Sequence, residues 1–275
     1  RGWEPYEPAS AVMWMRSGPL LEKISLGYDA LAADVYWIRA VVYYGGKRKA
    51  TGRQRNFAQL YPLLDLVTTL DPHFRVAYRF GAIFLTEAYP NWPGRPDLAV
   101  SLLERAIVRD NGRWEYFEDI GFIHYWWLRD YKAAADWFSK ASSQPGAPKW
   151  LKPLAATTLV QGGDRASSRF LWRQILETAD LDWLKTNARL RLAQLDAMDQ
   201  LDGLNALSQQ FIQAQARPPR DWRELAASAR LRGVPLDPTG TPYVLDPATG
   251  AIDLSRQSPL WPLPVGGPAQ QLAPR

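Results

Sequence analysis

The sequence predicts a mainly α protein, with helices in consecutive pairs and a small carboxy-terminal α+β unit. Three observations predict it. Between residues 29 and 180, apolar side chains recur three and four positions apart, with Pro, Gly or Asp at the breaks; that is the period of a helix with one buried face. From residue 217 the character changes to Pro-rich turns and two short alternating runs, the signature of a hairpin. Finally, 275 residues that are 47% hydrophobic and 22% charged can bury a full core and are not expected to be disordered.

The elements follow in order. Residues 1–28 read as an amino-terminal extension. The chain begins at Arg1 and not at Met, so a segment ahead of it is expected. The most apolar early run, Ala30 to Tyr44, is interrupted by Asp34 and Arg39 and reads as a buried helix. In Arg75 to Ala88, Val76, Ala77, Phe80, Ile83 and Phe84 are assigned to one buried face. Asn91 to Pro96 stops that helix, because two prolines cannot continue it. Pro96-Asp97 opens the next helix, with Leu98, Val100, Leu102, Leu103, Ala106 and Ile107 inward. Trp114–Arg129 pairs with Tyr131–Ser143. Trp150–Gln161 pairs with Arg165–Thr178 across Gly162-Gly163-Asp164. A last stripe, Leu184 to Met198, is read as interrupted at Gly203 and resumed by Leu204, Leu207, Phe211 and Ile212. It would cap a helical domain spanning 29–216.

A repeat is visible in these pairs. Phe117, Ile120-Gly121, Ala134, Phe138 and Ala141 form one copy. Ala77, Phe80-Gly81, Phe84, Ala99, Leu103 and Ala106 form a second. Ala156, Ser168 and Trp172 give a looser third, and Trp37, Tyr44, Leu64 and Asp71-Pro72 a degenerate first. The pattern resembles the tetratricopeptide repeat, a helical hairpin of roughly 34 residues. The resemblance implies a solenoid in which a small residue such as Gly121 lets two helices approach and a large one fills the gap opposite. It also implies a concave groove lined by first-helix residues: Arg75 and Tyr78 in one copy, and Glu115, Glu118, Phe122, Tyr125 and Trp126 in the next. His124 stands where the repeat usually has Tyr.

Residues 217–257 contain Trp222-x-Glu224-Leu225, then Pro235-Leu236-Asp237-Pro238-x-Gly240-x-Pro242-Tyr243, and the turn Asp246-Pro247-x-Thr249-Gly250. A hairpin of Tyr243–Leu245 against Ile252–Leu254 is expected. This segment resembles the carboxy-terminal region of the major pseudopilins of type II secretion. The resemblance adds weight to a bacterial envelope setting, although the polymerising amino-terminal helix of pilins is missing. Residues 258–275, with five prolines, read as an extended tail.

The chemistry is narrowed by what is scarce. Cysteine is absent and the histidines are two, His73 and His124. These counts exclude a disulfide framework, thiol catalysis and Cys/His zinc sites. No nucleophile elbow, dinucleotide fingerprint or phosphate loop is present. Gly45-Gly46-Lys47 lacks the flanking residues of such a loop. His124 reads as a packed histidine with one hydrogen bond, and His73 as an exposed turn residue. Glu115, Glu118 and Asp119 could do acid–base work with His124, but acidic residues near a helix amino terminus are stabilised there anyway. Asp237, Asp246 and Asp253 could gather calcium, but they read more simply as turn residues. No cofactor, metal or catalytic residue is expected.

The net charge of +5 equals one run, Lys47, Arg48, Lys49, Arg53 and Arg55, read as a loop between helices. Two readings stand for it: contact with an anionic partner such as acidic lipid or a membrane surface, or a solvated connection. Nucleic acid is not expected, because no aromatic interleaves with these cations. The aromatics exceed one buried stripe, and adjacent ones point about 100° apart on a helix. Some must leave the core face, where aromatic and Arg side chains are frequent anchors. Trp92 and Trp261 are further docking candidates. The expectation is a non-catalytic protein-interaction scaffold that takes a peptide or helix in its groove. Its setting would be a bacterial envelope complex, periplasmic or membrane-associated, with the cytoplasm as the alternative. A second expectation is an accessory part of a type II secretion or type IV pilus system. A third is an enzyme built on Glu115, Glu118 and His124.

Overall fold

The computed structural model describes residues 28–49, 56–87, 93–110 and 112–264. The chain is mainly helical, with a single two-stranded sheet among the described residues. Its contacts divide it into two compact units, Arg1–Leu151 and Lys152–Arg275. The division falls well before the expected boundary at 216, because the long last helix shares its core with the carboxy-terminal segment.

In the first unit the described helices are α1 (Asp29–Lys49), α2 (Leu60–Leu70), α3 (Arg75–Thr86), α4 (Pro96–Arg109), α5 (Trp114–Ile123) and α6 (Tyr131–Ser142). One turn of π-helix, His124–Leu128, extends α5. Each helix packs on the next, and α3 also touches α5. Two glycines set the closest approaches. A Cβ on Gly81 would lie 2.8 Å from Leu64 of α2, and one on Gly121 would lie 2.5 Å from the Phe138 ring of α6. No real Cβ contact is that short, so larger residues are excluded unless the neighbour moves. Ala77, Leu102, Leu103, Tyr116 and Ile120 complete a continuous core.

Two expectations change here. The buried face of α3 is Ala77, Tyr78, Gly81, Ala82 and Leu85, while Val76, Phe80 and Ile83 are each about half exposed. The buried stripe is thus rotated from the one assigned by hydrophobicity, because small residues pack the inner side. Likewise α1 is not buried all round. Ala33, Tyr36, Ala40, Tyr43 and Tyr44 face inward, but Leu31, Ile38 and Val42 are each about 60% exposed.

The second unit holds α7 (Leu151–Gln161), α8 (Arg165–Thr178), α9 (Asp182–Gln215) and α10 (Trp222–Ala229). Asp164 caps α8 by accepting from the Ser167 N–H, and the Ser168 hydroxyl donates to the Ala156 carbonyl at 2.7 Å. Arg165 and Arg169 of α8 grip Asp196, Asp199 and Asp202, spaced three apart on α9. Gly203 does not interrupt α9, which runs unbroken for 34 residues, about 51 Å. A mid-helix Gly costs about 1 kcal/mol, and packing on both sides of it outweighs that. Leu184, Ala188, Leu195 and Met198 join Ala156, Val160 and Trp172. Leu201, Leu204 and Phe211 join Leu225, Tyr243, Ile252, Leu254 and Leu260.

The strands β1 (Val244–Leu245) and β2 (Ile252–Asp253) pair antiparallel, Val244 opposite Asp253 and Leu245 opposite Ile252. Polar residues of α9 hold them. Asn205 accepts from the Ile252 N–H at 2.9 Å and donates to its carbonyl at 2.8 Å. The Ser208 hydroxyl donates to the Gly250 carbonyl, and the Tyr243 hydroxyl donates to Gln200. The expected tail begins inside this core. Leu260 is 1% exposed, and Gln194 donates to the carbonyls of Leu260 and Pro262.

Candidate functional site

The first unit carries an open groove between α3 and the α5–π segment. One pocket of about 430 Å³ is lined by Ile83, Thr86, Glu87, Phe122, Trp126 and Trp127, with Arg79 and Asp119 beneath. A second, of about 410 Å³, is lined by Arg75, Val76, Arg79, Phe80, Ile83 and Asp119. Helical spacing makes both walls. Val76, Phe80 and Ile83 stand four and three residues apart on α3, and so share a face. Asp119, Phe122 and Trp126 do the same on α5 and its extension.

The π turn widens the helix by one residue, which shifts the direction of every side chain after it. Trp126, Trp127 and Leu128 are consequently exposed. Tyr125 packs edge-on against Trp126 at 4.9 Å and Tyr131 at 5.3 Å, which props the turn from behind. The turn ends at Arg129, a non-glycine residue at φ 55°, which is a strained backbone held only by its surroundings.

Ion pairs tie the two walls together. Arg79 makes a two-pronged contact with Asp119, at 2.5 and 2.8 Å, and lies 3.8 Å from Glu118. Arg75 donates to Glu115 at 3.1 Å. The acidic cluster is therefore held by the cations of α3, beyond any help from the helix dipole. Burial pushes the Glu118 carboxyl up to about 7, with Asp119 next to it adding to the rise. Burial also raises Asp119, partly offset by Arg79. Glu87 at the groove edge is raised by burial, and its Oε2 has no hydrogen-bond partner among the described residues.

The structure brings Arg75, Phe122 and Trp126 into this groove, with Glu115 and Glu118 beside its ion pairs. Tyr78 is not in it: its ring is fully buried, edge-on to Tyr116 at 5.8 Å. Sequence reasoning missed Arg79, Ile83, Glu87 and Trp127 as groove residues. Arg79 and Ile83 stand four and eight residues after Arg75, a signal obscured by assigning Ile83 to the core.

His124 opens the π turn. Its Nδ1 is buried with no hydrogen-bond partner among the described residues, and burial lowers its pKa. The charges that act on it are Asp130 and Glu104, so it is not gathered with Glu115 and Glu118. His73 is more than an exposed turn residue. Its Nδ1 lies 2.8 Å from Asp110, a buried carboxylate that also accepts from the Tyr116 hydroxyl. Asp237 accepts from the Thr239 and Thr241 N–H groups and from Ser258, Asp246 accepts from the Ala248 N–H, and Asp253 from the Leu254 N–H. Asp237 and Asp246 each hold a turn, Asp253 lies in β2 instead, and no metal-holding cluster of such residues exists among those described.

The basic run differs from its reading as a loop. Lys47, Arg48 and Lys49 form the last turn of α1, where cations favour the helix dipole. Arg53 and Arg55 lie outside the described residues, as does Trp92. Trp261 is partly exposed under the Arg256 guanidinium. Among the described residues no helix is long and apolar enough to cross a membrane. No family model, curated protein or solved structure matches the chain.

Proposed function

We propose that the first unit is a tetratricopeptide-like solenoid and that its α3–α5 groove binds an amphipathic segment of a protein partner. The observation that carries this reading is the groove itself. Half-exposed Val76, Phe80, Ile83 and Trp126 form its walls, while ion pairs underneath fix its width. Surfaces that hold aromatic and aliphatic side chains in a concavity are typical of partner anchoring. Gly121 against Phe138 supports the repeat, since that is the small-on-large contact its pattern requires.

The partner's chemistry follows from charge. Glu87 sets a carboxyl group in the lining of this apolar pocket, so the segment that fits carries a Lys or Arg among apolar residues. Selection from a displayed library of random helical peptides tests this. The native chain enriches peptides with apolar residues three and four apart plus one cation, and Glu87→Gln loses the preference for the cation. Equal enrichment on a Phe80→Asp, Trp126→Ala double variant contradicts the reading. The role is a binding one, with no chemical step.

The setting is proposed as a bacterial envelope complex, with an accessory role in type II secretion or type IV pilus assembly as the second reading. The observation favouring the second is the carboxy-terminal segment docked on α9, which leaves Val234, Leu236 and Val244 about half exposed. Removing residues 217–275 is a poor test, because it would uncover Leu201 and Phe211. Leu236→Lys with Val244→Lys keeps the core. Loss of secretion or piliation in that strain supports the reading, and unchanged export and piliation contradict it.

A further inference from the structure

We infer that α1 pairs antiparallel with α1 of a second copy of this chain. Leu31, Val35, Ile38 and Val42 stand four, three and four residues apart on α1, and are 61, 41, 61 and 60% exposed. That spacing is the seam of a coiled coil. In the same register Tyr28 precedes the seam, 69% exposed, and Gly45 and Lys49 follow it. α1 is the first described helix of its unit and packs on α2 by its opposite face.

The choice of partner rests on two properties of the helix. The seam is symmetric about the point between Tyr36 and Trp37. When two copies run antiparallel across a twofold axis, Val35 faces Ile38 of the partner and Leu31 faces its Val42. Tyr28, the largest seam residue, then meets Gly45, which has no side chain and no neighbour within 4 Å of a Cβ built on it. Such large-on-small matching is what an isologous interface requires of itself. Charge gives the same direction. The first two turns of α1 hold Asp29 and Asp34, and the last turn holds Lys47, Arg48 and Lys49. Antiparallel copies place acidic end beside basic end, and parallel copies would set like charges together. The basic turn thereby has a use that needs no lipid.

The native chain lacks cysteine, which makes the register testable directly. Leu31→Cys and Val42→Cys chains are prepared separately, mixed in equal amounts and oxidised. The antiparallel pair predicts a disulfide-linked species of twice 31.2 kDa in the mixture and little in either chain alone. Sedimentation of the native full chain at tens of micromolar is expected to give the same doubled mass, and Ile38→Asp the single mass with unchanged circular dichroism. Linking of Leu31→Cys to itself overturns the antiparallel arrangement. A native chain that stays at single mass overturns the proposal, whether residues 1–27 or lipid vesicles prove to cover the stripe.

Discussion

Asn205 and Ile252 are joined by two hydrogen bonds, one in each direction, so that a helix side chain completes the ladder of a strand 47 residues further on. A two-stranded hairpin is marginal in water by itself. Here its second strand is paired on one edge by β1 and on the other by a carboxamide anchored in α9. Asn205→Leu keeps the volume but leaves a buried N–H and a carbonyl unmatched. The expected loss is about 2–3 kcal/mol, read by denaturant unfolding, with faster hydrogen exchange at the Ile252 amide. Protection at Ile252 equal to that of the native chain would show that the pairing is incidental.

Gly121→Ala places a methyl group where the Phe138 ring lies. It is expected to destabilise the chain by about 1–3 kcal/mol, measured by thermal or urea unfolding. Phe138→Leu in the same chain recovers part of the loss, because the two sites share one contact. Independent, additive effects would contradict the small-on-large packing. Gly203→Ala is the contrasting case. Nothing lies within 4 Å of its added Cβ, so a gain of up to about 1 kcal/mol is expected.

Glu118 predicts a pH dependence of stability. Its folded pKa, about 7, is raised above the usual carboxylate value of about 4.3. The folded state then holds a proton that the unfolded state has lost. Its contribution is full below about pH 4 and disappears as pH rises through 7. Arg79, Glu115 and Asp119 act on the same group. Glu118→Gln is expected to flatten the decline of unfolding free energy between pH 5 and 8 relative to the native chain. An identical slope in both chains would place the carboxylate in contact with water.

The exposure of the groove walls separates binding from folding. Phe80→Asp and Trp126→Ala alter surface positions and are expected to change stability by about 0.5 kcal/mol or less, while abolishing peptide binding. Tyr78→Ala, two residues away but fully buried, is expected to cost about 3–5 kcal/mol. Unfolding curves on the three variants check both statements.

Helices in pairs were legible because α-helical periodicity survives without tertiary context, and the hairpin because Asp246-Pro247-x-Thr249-Gly250 specifies its turn locally. The position of the buried face was less legible. On α3, Val76, Phe80 and Ile83 outrank Ala77, Gly81 and Ala82 in hydrophobicity, yet the small residues go inside because α2 and α4 approach so closely there. The same inversion hid the groove, since its wall was read as core. Gly203 misled for the opposite reason. Its local cost is about 1 kcal/mol, less than the burial of Leu201, Leu204 and Phe211 provides. The uptake of Leu260 into the core depended on Gln194, 66 residues upstream, which no local pattern reveals. The π turn at His124–Leu128 has no local signal either, and it decides where Trp126 and Trp127 point.

Photo-crosslinking from inside the groove tests the central proposal most directly. A photoreactive amino acid replaces Ile83 in the groove, or Val108, which is 83% exposed on α4, in the native host. The groove position is expected to give one discrete adduct whose linked peptide is amphipathic and carries a Lys or Arg, and Phe80→Asp abolishes it. The α4 position gives no such adduct. The same adduct from both positions, or one that persists with Phe80→Asp, would contradict the groove as the binding site.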